Sequence, residues 1–143
     1  MQTVEPYQFR KVKTVDNNLA SDCYYIAGEF MGDAESLVYS IPYDVNTLGR
    51  PMFVAEKANG YLLGFVVGQV QDAKNARITS LYVTARAHRK GIASHLLADI
   101  EQYFRERGIT RVSLDSRPMA VHFYNARGYS RVAQNSHRLQ KTL

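Results

Sequence analysis

Between Ile78 and Leu114 the sequence allows few arrangements. Ile78-Thr79-Ser80-Leu81-Tyr82-Val83 is rich in β-branched and aromatic residues, the composition of a strand. After a short basic connection, apolar residues recur at Ile92, Leu96, Ile100 and Phe104, and Ala93, Leu97 and Tyr103 widen the stripe. That spacing predicts a long helix with one buried face. Gly108 stands where the helix should stop, with Arg105 and Arg107 favouring the negative pole of its dipole. Thr110 to Leu114 returns to strand character. A strand, a crossover helix and a strand imply a parallel pair joined right-handedly.

The flanks supply antiparallel strands and more helices. Tyr7 to Val12 alternates like a strand, Asp16-Asn17-Asn18 offers N-caps for a helix over Leu19 to Met31, and Ala34 to Tyr39 suggests a second helix. Pro42, Asn46, Gly49 and Pro51 punctuate a loop from Ser40 to Pro51. Met52 to Glu56 and Tyr61 to Val67 are strands joined by the short connection Lys57-Ala58-Asn59-Gly60. Gly64 and Gly68 inside the second of them point to a bulge or a close backbone approach. With the strand at Ile78 these form an antiparallel meander. Pro118 opens a helix to about Ala126, Gly128 ends it, and Tyr129 to Leu143 reads as two strands turning near Gln134-Asn135-Ser136. The expected fold class is α/β, a mixed and mostly antiparallel central sheet with helices on both faces.

A chain of 143 residues is expected to form one domain, 1–143, with a proper core. No apolar run approaches the length of a membrane span, and no leader pattern is seen at the N-terminus. The lone Cys23 cannot form an internal disulfide, so it reads as a small buried hydrophobe in a protein of the reducing cytoplasm. The four histidines show no metal-ligand spacing. A net charge of +5 suits a polyanionic ligand, which coenzyme A, RNA and an acidic protein surface all provide.

The chemistry concentrates at the start of the long helix. The first N–H groups of a helix lack partners, and the macrodipole adds positive potential there. Arg86, His88, Arg89, Lys90, Gly91, Ala93 and Ser94 surround that point with cations and minimal side chains. Such a helix start can hold a phosphate or pyrophosphate, or it can simply be a solvated basic turn.

Leu81 to Leu97, LYVTARAHRKGIASHLL, resembles the acetyl-CoA-binding motif of the GNAT superfamily of N-acyltransferases. That motif is a strand, an Arg or Gln, two residues, Gly, one residue, Gly or Ala, and a helix. Gly91 and Ala93 match the small positions; His88 replaces the usual Arg or Gln, and Ala85 a frequent Pro. Met119 to Tyr129, MAVHFYNARGY, is similar to the family's C-terminal signature through Phe123-Tyr124 and Gly128-Tyr129. Arg117 stands near a position where many members carry Asn.

The resemblance implies an acetyl-CoA-dependent N-acetyltransferase in which an amine attacks the thioester directly. Acetyl-CoA, as co-substrate and with no metal, would lie where the strand ending at Val83 splays from the one ending at Leu114. Its pyrophosphate would rest on His88, Arg89, Lys90, Gly91, Ile92, Ala93 and Ser94. Its pantetheine arm would bond the backbone of Leu81, Tyr82 and Val83 like an added strand. One backbone N–H there would polarise the thioester carbonyl. Tyr124 is the candidate acid for the departing thiolate. Asp72, Glu56, Asp115 and Glu29 could each take the amine proton through water, and none stands out. The region variable in the family would line the acceptor pocket, with Tyr24, Tyr25, Phe30, Tyr39 and Tyr43 as contacts or as plain core and rim aromatics.

The expected partner is an amine-bearing acceptor, either a small molecule or a protein or peptide amine; a homodimer is left open. A membrane is not expected as a partner. One competing reading is an acyl-CoA-binding regulatory module without catalysis, motivated by His88, Arg117 and the absence of a strand carboxylate. The other is a nucleic-acid-directed protein, including an acetyltransferase for an RNA-linked amine, motivated by Arg131, Arg138 and Lys141. The aromatic-basic interleaving of RNA platforms is missing, which speaks against it.

Overall fold

Asp16 sets where the first helix begins. Its backbone is extended and its Oδ1 accepts the Leu19 N–H at 2.8 Å, so helix α1 (Asn17–Met31) starts with an orphan donor satisfied. Ala20, Cys23, Ile26 and Ala27 form its buried stripe. In the computed structural model, which describes residues 7–143, this stripe packs on one face of an open seven-stranded sheet. Residues 1–6, part of the stretch read for a leader pattern, lie outside the described residues. Among the described residues no helix is long and apolar enough to cross a membrane.

The strands are β1 (Tyr7–Lys11), β2 (Met52–Lys57), β3 (Leu62–Val70), β4 (Asn75–Val83), β5 (Arg111–Asp115), β6 (Ser130–Arg131) and β7 (Arg138–Thr142). They lie in the order β1-β2-β3-β4-β5-β7-β6, and the pair β4 and β5 alone is parallel, the crossover being helix α3 (Ile92–Glu106). Sheet and crossover therefore match the expected α/β class, helices on both faces included. Helix α2 (Glu35–Pro42) joins α1 on one side; α3 and the short helix α4 (Val121–Asn125), entered by a 3₁₀ turn over Pro118–Ala120, belong to the other.

The segment expected as a loop from Ser40 is largely helical. Helix α2 runs to Pro42 and continues as a single π-type turn over Tyr43–Thr47. Ile41 and Val45 are both buried, one helical turn apart. Asn46 holds the turn from outside: its Oδ1 accepts the Val15 N–H at 2.8 Å and its Nδ2 donates to the Val15 carbonyl at 2.9 Å. Apolar burial and this two-way bond override the punctuation by Pro42 and Asn46.

Two bulges shape the central strands. Leu63 is an extra residue opposite Ala55 and Glu56, and Thr79 an extra residue opposite Val67 and Gly68. Both adjoin the glycines that the sequence singles out. A Cβ at Gly64 would meet the Tyr82 carbonyl oxygen at 2.8 Å, and one at Gly68 would meet Ile100 Cδ1 at 2.6 Å. These glycines let strand and helix approach where any side chain would separate them.

At the far end of α3, Glu101 is buried and fully engaged. The Tyr129 hydroxyl donates to it at 2.7 Å, and Lys141 Nζ reaches its two oxygens at 3.0 and 3.2 Å. This network ties α3 to β7 and to the chain leaving α4.

Gly64→Ala should lower stability by about 1–3 kcal/mol, since backbone must move to admit the methyl group. Gly28→Ala, in the middle of α1 with nothing within 4 Å of the new Cβ, should raise it by about 0.5–1 kcal/mol. Denaturant unfolding of both variants checks the opposite signs. Lys141→Met should cost about 1–3 kcal/mol, since buried Glu101 then keeps only the longer Arg105 ion pair at 3.8 Å, and the double variant Glu101→Leu/Lys141→Met should recover part of it, the Tyr129 hydroxyl having lost its acceptor.

Candidate active site

The site begins where β4 and β5 part. Their pairing extends from Asn75 and Arg111 to Arg77 and Ser113 and stops there, and the Thr79 bulge follows two residues on. A bulge bends its strand and increases its twist. Thr79 also turns its Oγ1 onto the Val67 carbonyl at 3.1 Å, which anchors the bulge to β3. Asp115 pins the vertex through Arg77 and Arg138, whose hydrogen bonds hold its carboxyl below the usual carboxylate range, Arg138 acting more strongly.

Beyond that point β4 has a free edge. The Thr84 N–H donates to the Leu63 carbonyl at 2.8 Å, so by antiparallel alternation Tyr82 faces Phe65 across the ladder. The backbone groups of Leu81 and Val83 then point away from β3, into the gap left by β5. The bulge resets side-chain parity as well. Leu81 and Val83 join Ala76 and Ile78 on the α3 face, and Tyr82 packs on the α1 face.

The chain then turns through a 3₁₀ segment, Ala85–Ala87, whose start is held by Glu29: its carboxylate accepts Thr84 Oγ1–H at 2.8 Å and the Ala85 N–H at 2.9 Å. His88 closes the turn. Its Nε2 lies 2.8 Å from the Val83 carbonyl, which can only accept, so this nitrogen carries the proton. The His88 ring also stacks on Phe30 at 5.7 Å. Arg89 and Gly91 both take left-handed backbone, φ 64 and 75, on either side of Lys90. Such alternation turns successive N–H groups into an anion-binding concavity, and α3 starts directly after it with no side-chain cap.

Across the gap, α4 presents Tyr124. The residue is buried, and its hydroxyl, with no hydrogen bond to any described residue, is open to the cleft. Burial pushes the phenol up to about 12, against a downward pull from nearby Arg117.

Together these parts line a cleft of about 620 Å³. Of the residues expected to bind the cofactor, Leu81, Val83, His88, Arg89, Gly91, Ile92, Ala93 and Ser94 line it, as does Tyr124. Tyr82 does not line it; its side chain packs on the α1 face of the sheet. Lys90 turns instead to a separate hollow of about 270 Å³, with its Nζ 5.8 Å from the Tyr7 ring centre. Of the aromatics proposed for the acceptor side, Phe30 lines the cleft. Tyr25, Tyr39 and Tyr43 are exposed on α1, α2 and the π-type turn, and Tyr24 packs against the α1 core.

Two arginines were not singled out as site residues. Arg127 donates to Ser94 Oγ and to the Phe123 carbonyl and covers the Phe123 ring, fastening α4 to the first turn of α3. Its position four residues after Phe123, in the turn that follows α4, was the available signal. Arg117 lies over Phe30 at 4.7 Å and Tyr82 at 5.1 Å, and nothing in local sequence foretold that pairing. The carboxylates considered as bases are all engaged: Glu29 on the turn, Glu56 on Arg10, Asp72 within its own loop, and Asp115 on its arginines.

A family model described as the acetyltransferase (GNAT) family matches residues 17–129. Several solved structures share the fold. Ard1 from Thermoplasma volcanium has a TM-score of 0.79 at 21% identity, over 96% of this chain and 97% of that one. GCN5 from Tetrahymena has 0.74 at 14%, over 94% and 95%. The N-acetyltransferase YhbS from Escherichia coli, solved in complex with CoA, has 0.73 at 18%, over 99% and 84%. No curated protein matches the sequence. Since the matching model spans the strand, the left-handed turn, the α3 start and the Phe123-Tyr124 block, the chain belongs to the acetyltransferase (GNAT) family.

Proposed function

We propose that the protein transfers an acetyl group from acetyl-CoA to a primary amine by direct attack. The observation that carries this reading is that the free edge of β4, the uncapped start of α3 and the open phenol of Tyr124 face one cleft. The donor set fits coenzyme A. A Cβ at Gly91 would meet nothing within 4 Å, so the backbone there is open to a pyrophosphate. Leu81 and Val83 offer amide groups of the kind a pantetheine arm pairs with, and the Val83 carbonyl keeps a second lone pair beside the His88 bond.

Acetyl-CoA supplies an acyl group activated as a thioester. The N–H of Leu81 or Val83 stabilises the charge that grows on the carbonyl oxygen. The amine nitrogen bonds to the acyl carbon as the carbon–sulfur bond breaks. With the neighbouring carboxylates engaged, the amine proton passes to solvent. Tyr124 keeps its proton at Oη and donates a hydrogen bond to the departing sulfur. A thiol titrates near 8.5, so full transfer from a phenol at about 12 would be uphill by about 5 kcal/mol. The thiolate leaves and takes a proton from solvent. A reducing, cytoplasmic setting suits the chain, whose single cysteine is buried and unpaired.

Calorimetric titration with acetyl-CoA, with free coenzyme A alongside, tests the cofactor. Ala93→Glu should weaken binding at least about tenfold, because a carboxylate at the helix start repels phosphate. Equal affinity in the variant would remove the phosphate assignment. Tyr124→Phe should lower kcat by about tenfold to a hundredfold with acetyl-CoA affinity retained. The raised phenol keeps its proton as pH climbs, so the wild-type kcat/KM profile should show no falling limb below about pH 10. A falling limb near neutrality that disappears in Tyr124→Phe would refute the role.

A further inference from the structure

In the cleft, near Tyr124, Arg117 is a cation without a counter-charge among the described residues. The residue is half-buried, and its guanidinium sits 4.7 Å from the centre of Phe30 and 5.1 Å from that of Tyr82. Those two rings are 6.1 Å apart and inclined by 29°, and the guanidinium rests against both from one side. Stacking fixes the plane of a guanidinium and leaves its N–H edge free to donate. Among the described residues Arg117 has no ion pair, and its side chain makes no hydrogen bond.

The rest of the cleft bears on what that edge meets. None of its lining residues is Asp or Glu. Glu29 is held by the turn after β4, and Asp115 by Arg77 and Arg138. Arg127 is committed to Ser94 and the Phe123 carbonyl. Arg89 stands beside the left-handed turn at the start of α3, where a phosphate would be neutralised. Tyr82 packs on the α1 face of the sheet whereas α3 lies on the other, so the guanidinium beside its ring stands on the α1 side of the β4 edge. A polyamine or a lysine-rich segment entering there would meet a cation and no carboxylate. An amine that carries its own carboxylate would meet a preset partner with fork geometry.

We propose that the acceptor is a small amine bearing a carboxylate, an amino acid or a close analogue, and that Arg117 selects it by pairing with the carboxylate. This rests on the transferase reading above. Phe30 and Tyr82 are positioning residues that hold the guanidinium in place. The carboxylate is bound and not consumed, so the bonds made and broken in the transfer are unchanged.

The test compares matched acceptors with the full chain and acetyl-CoA: phenylalanine against phenethylamine, and β-alanine against ethylamine. Wild-type kcat/KM should favour the carboxylate-bearing member of a pair at least tenfold. In Arg117→Gln that preference should collapse to about twofold or less through KM, and Arg117→Lys should restore only part of it. Coenzyme A affinity, measured by calorimetry, should change by less than about twofold in both variants. Transfer with no preference for the carboxylate, or with a preference for a polyamine such as spermidine, overturns the proposal while the transferase reading stands. Loss of coenzyme A binding in Arg117→Gln also overturns it, because Arg117 would then serve the cofactor. Binding of acetyl-CoA without transfer to any amine overturns the transferase reading, and this proposal with it.

Discussion

The bulge at Thr79 is the constraint on which the site depends. One extra residue in β4, just past its last pair with β5, does three things at once. It ends the parallel pairing, so Leu81 and Val83 have backbone groups with no strand to meet. It reverses which side chains face which layer, so Tyr82 lies on the α1 side. It leaves a wedge between strands that Tyr124 can enter from α4. Gly68, opposite the bulge, permits this because Ile100 and Phe104 press against it where a side chain would stand. A regular ladder there would have closed the sheet and removed the cleft.

The chain places unsatisfied backbone at two points of that wedge, and both would be costly if buried without a ligand. Along β4 the orphan groups are amides in strand geometry. At α3 they are the first N–H groups of a helix, preceded by left-handed Arg89 and Gly91. His88 stabilises the turn between them by bonding the last β4 carbonyl and stacking on Phe30. The residue that departs from the family motif thus fastens the loop, and the backbone keeps its place for an anion.

Much of the framework was legible in the sequence because its signals are local. The heptad-like stripe of α3, the cap at Asp16, the glycines beside both bulges and the small residues at Gly91 and Ala93 each act within a few residues of themselves. The loop expected from Ser40 to Pro51 failed for the converse reason. Ile41 and Val45 are held by a core assembled from α1 and the sheet, and Asn46 is held by Val15, thirty-one residues earlier. Lys90 was grouped with its neighbours by sequence adjacency, yet left-handed residues on both sides turn it out of the cleft toward Tyr7.

What the sequence by itself determined was the strand–helix–strand unit, the helix start that can hold an anion, and the family block around Tyr124, because periodicity, glycine and motif spacing are written along the chain. Only the tertiary structure decided which face Tyr82 takes, that Arg117 rests against Tyr82 and Phe30, and that Arg127 locks Ser94. Those pairings join residues thirty or more positions apart. They arise from bulge parity and from the angle at which β4 leaves β5, and neither is encoded within any short stretch of sequence.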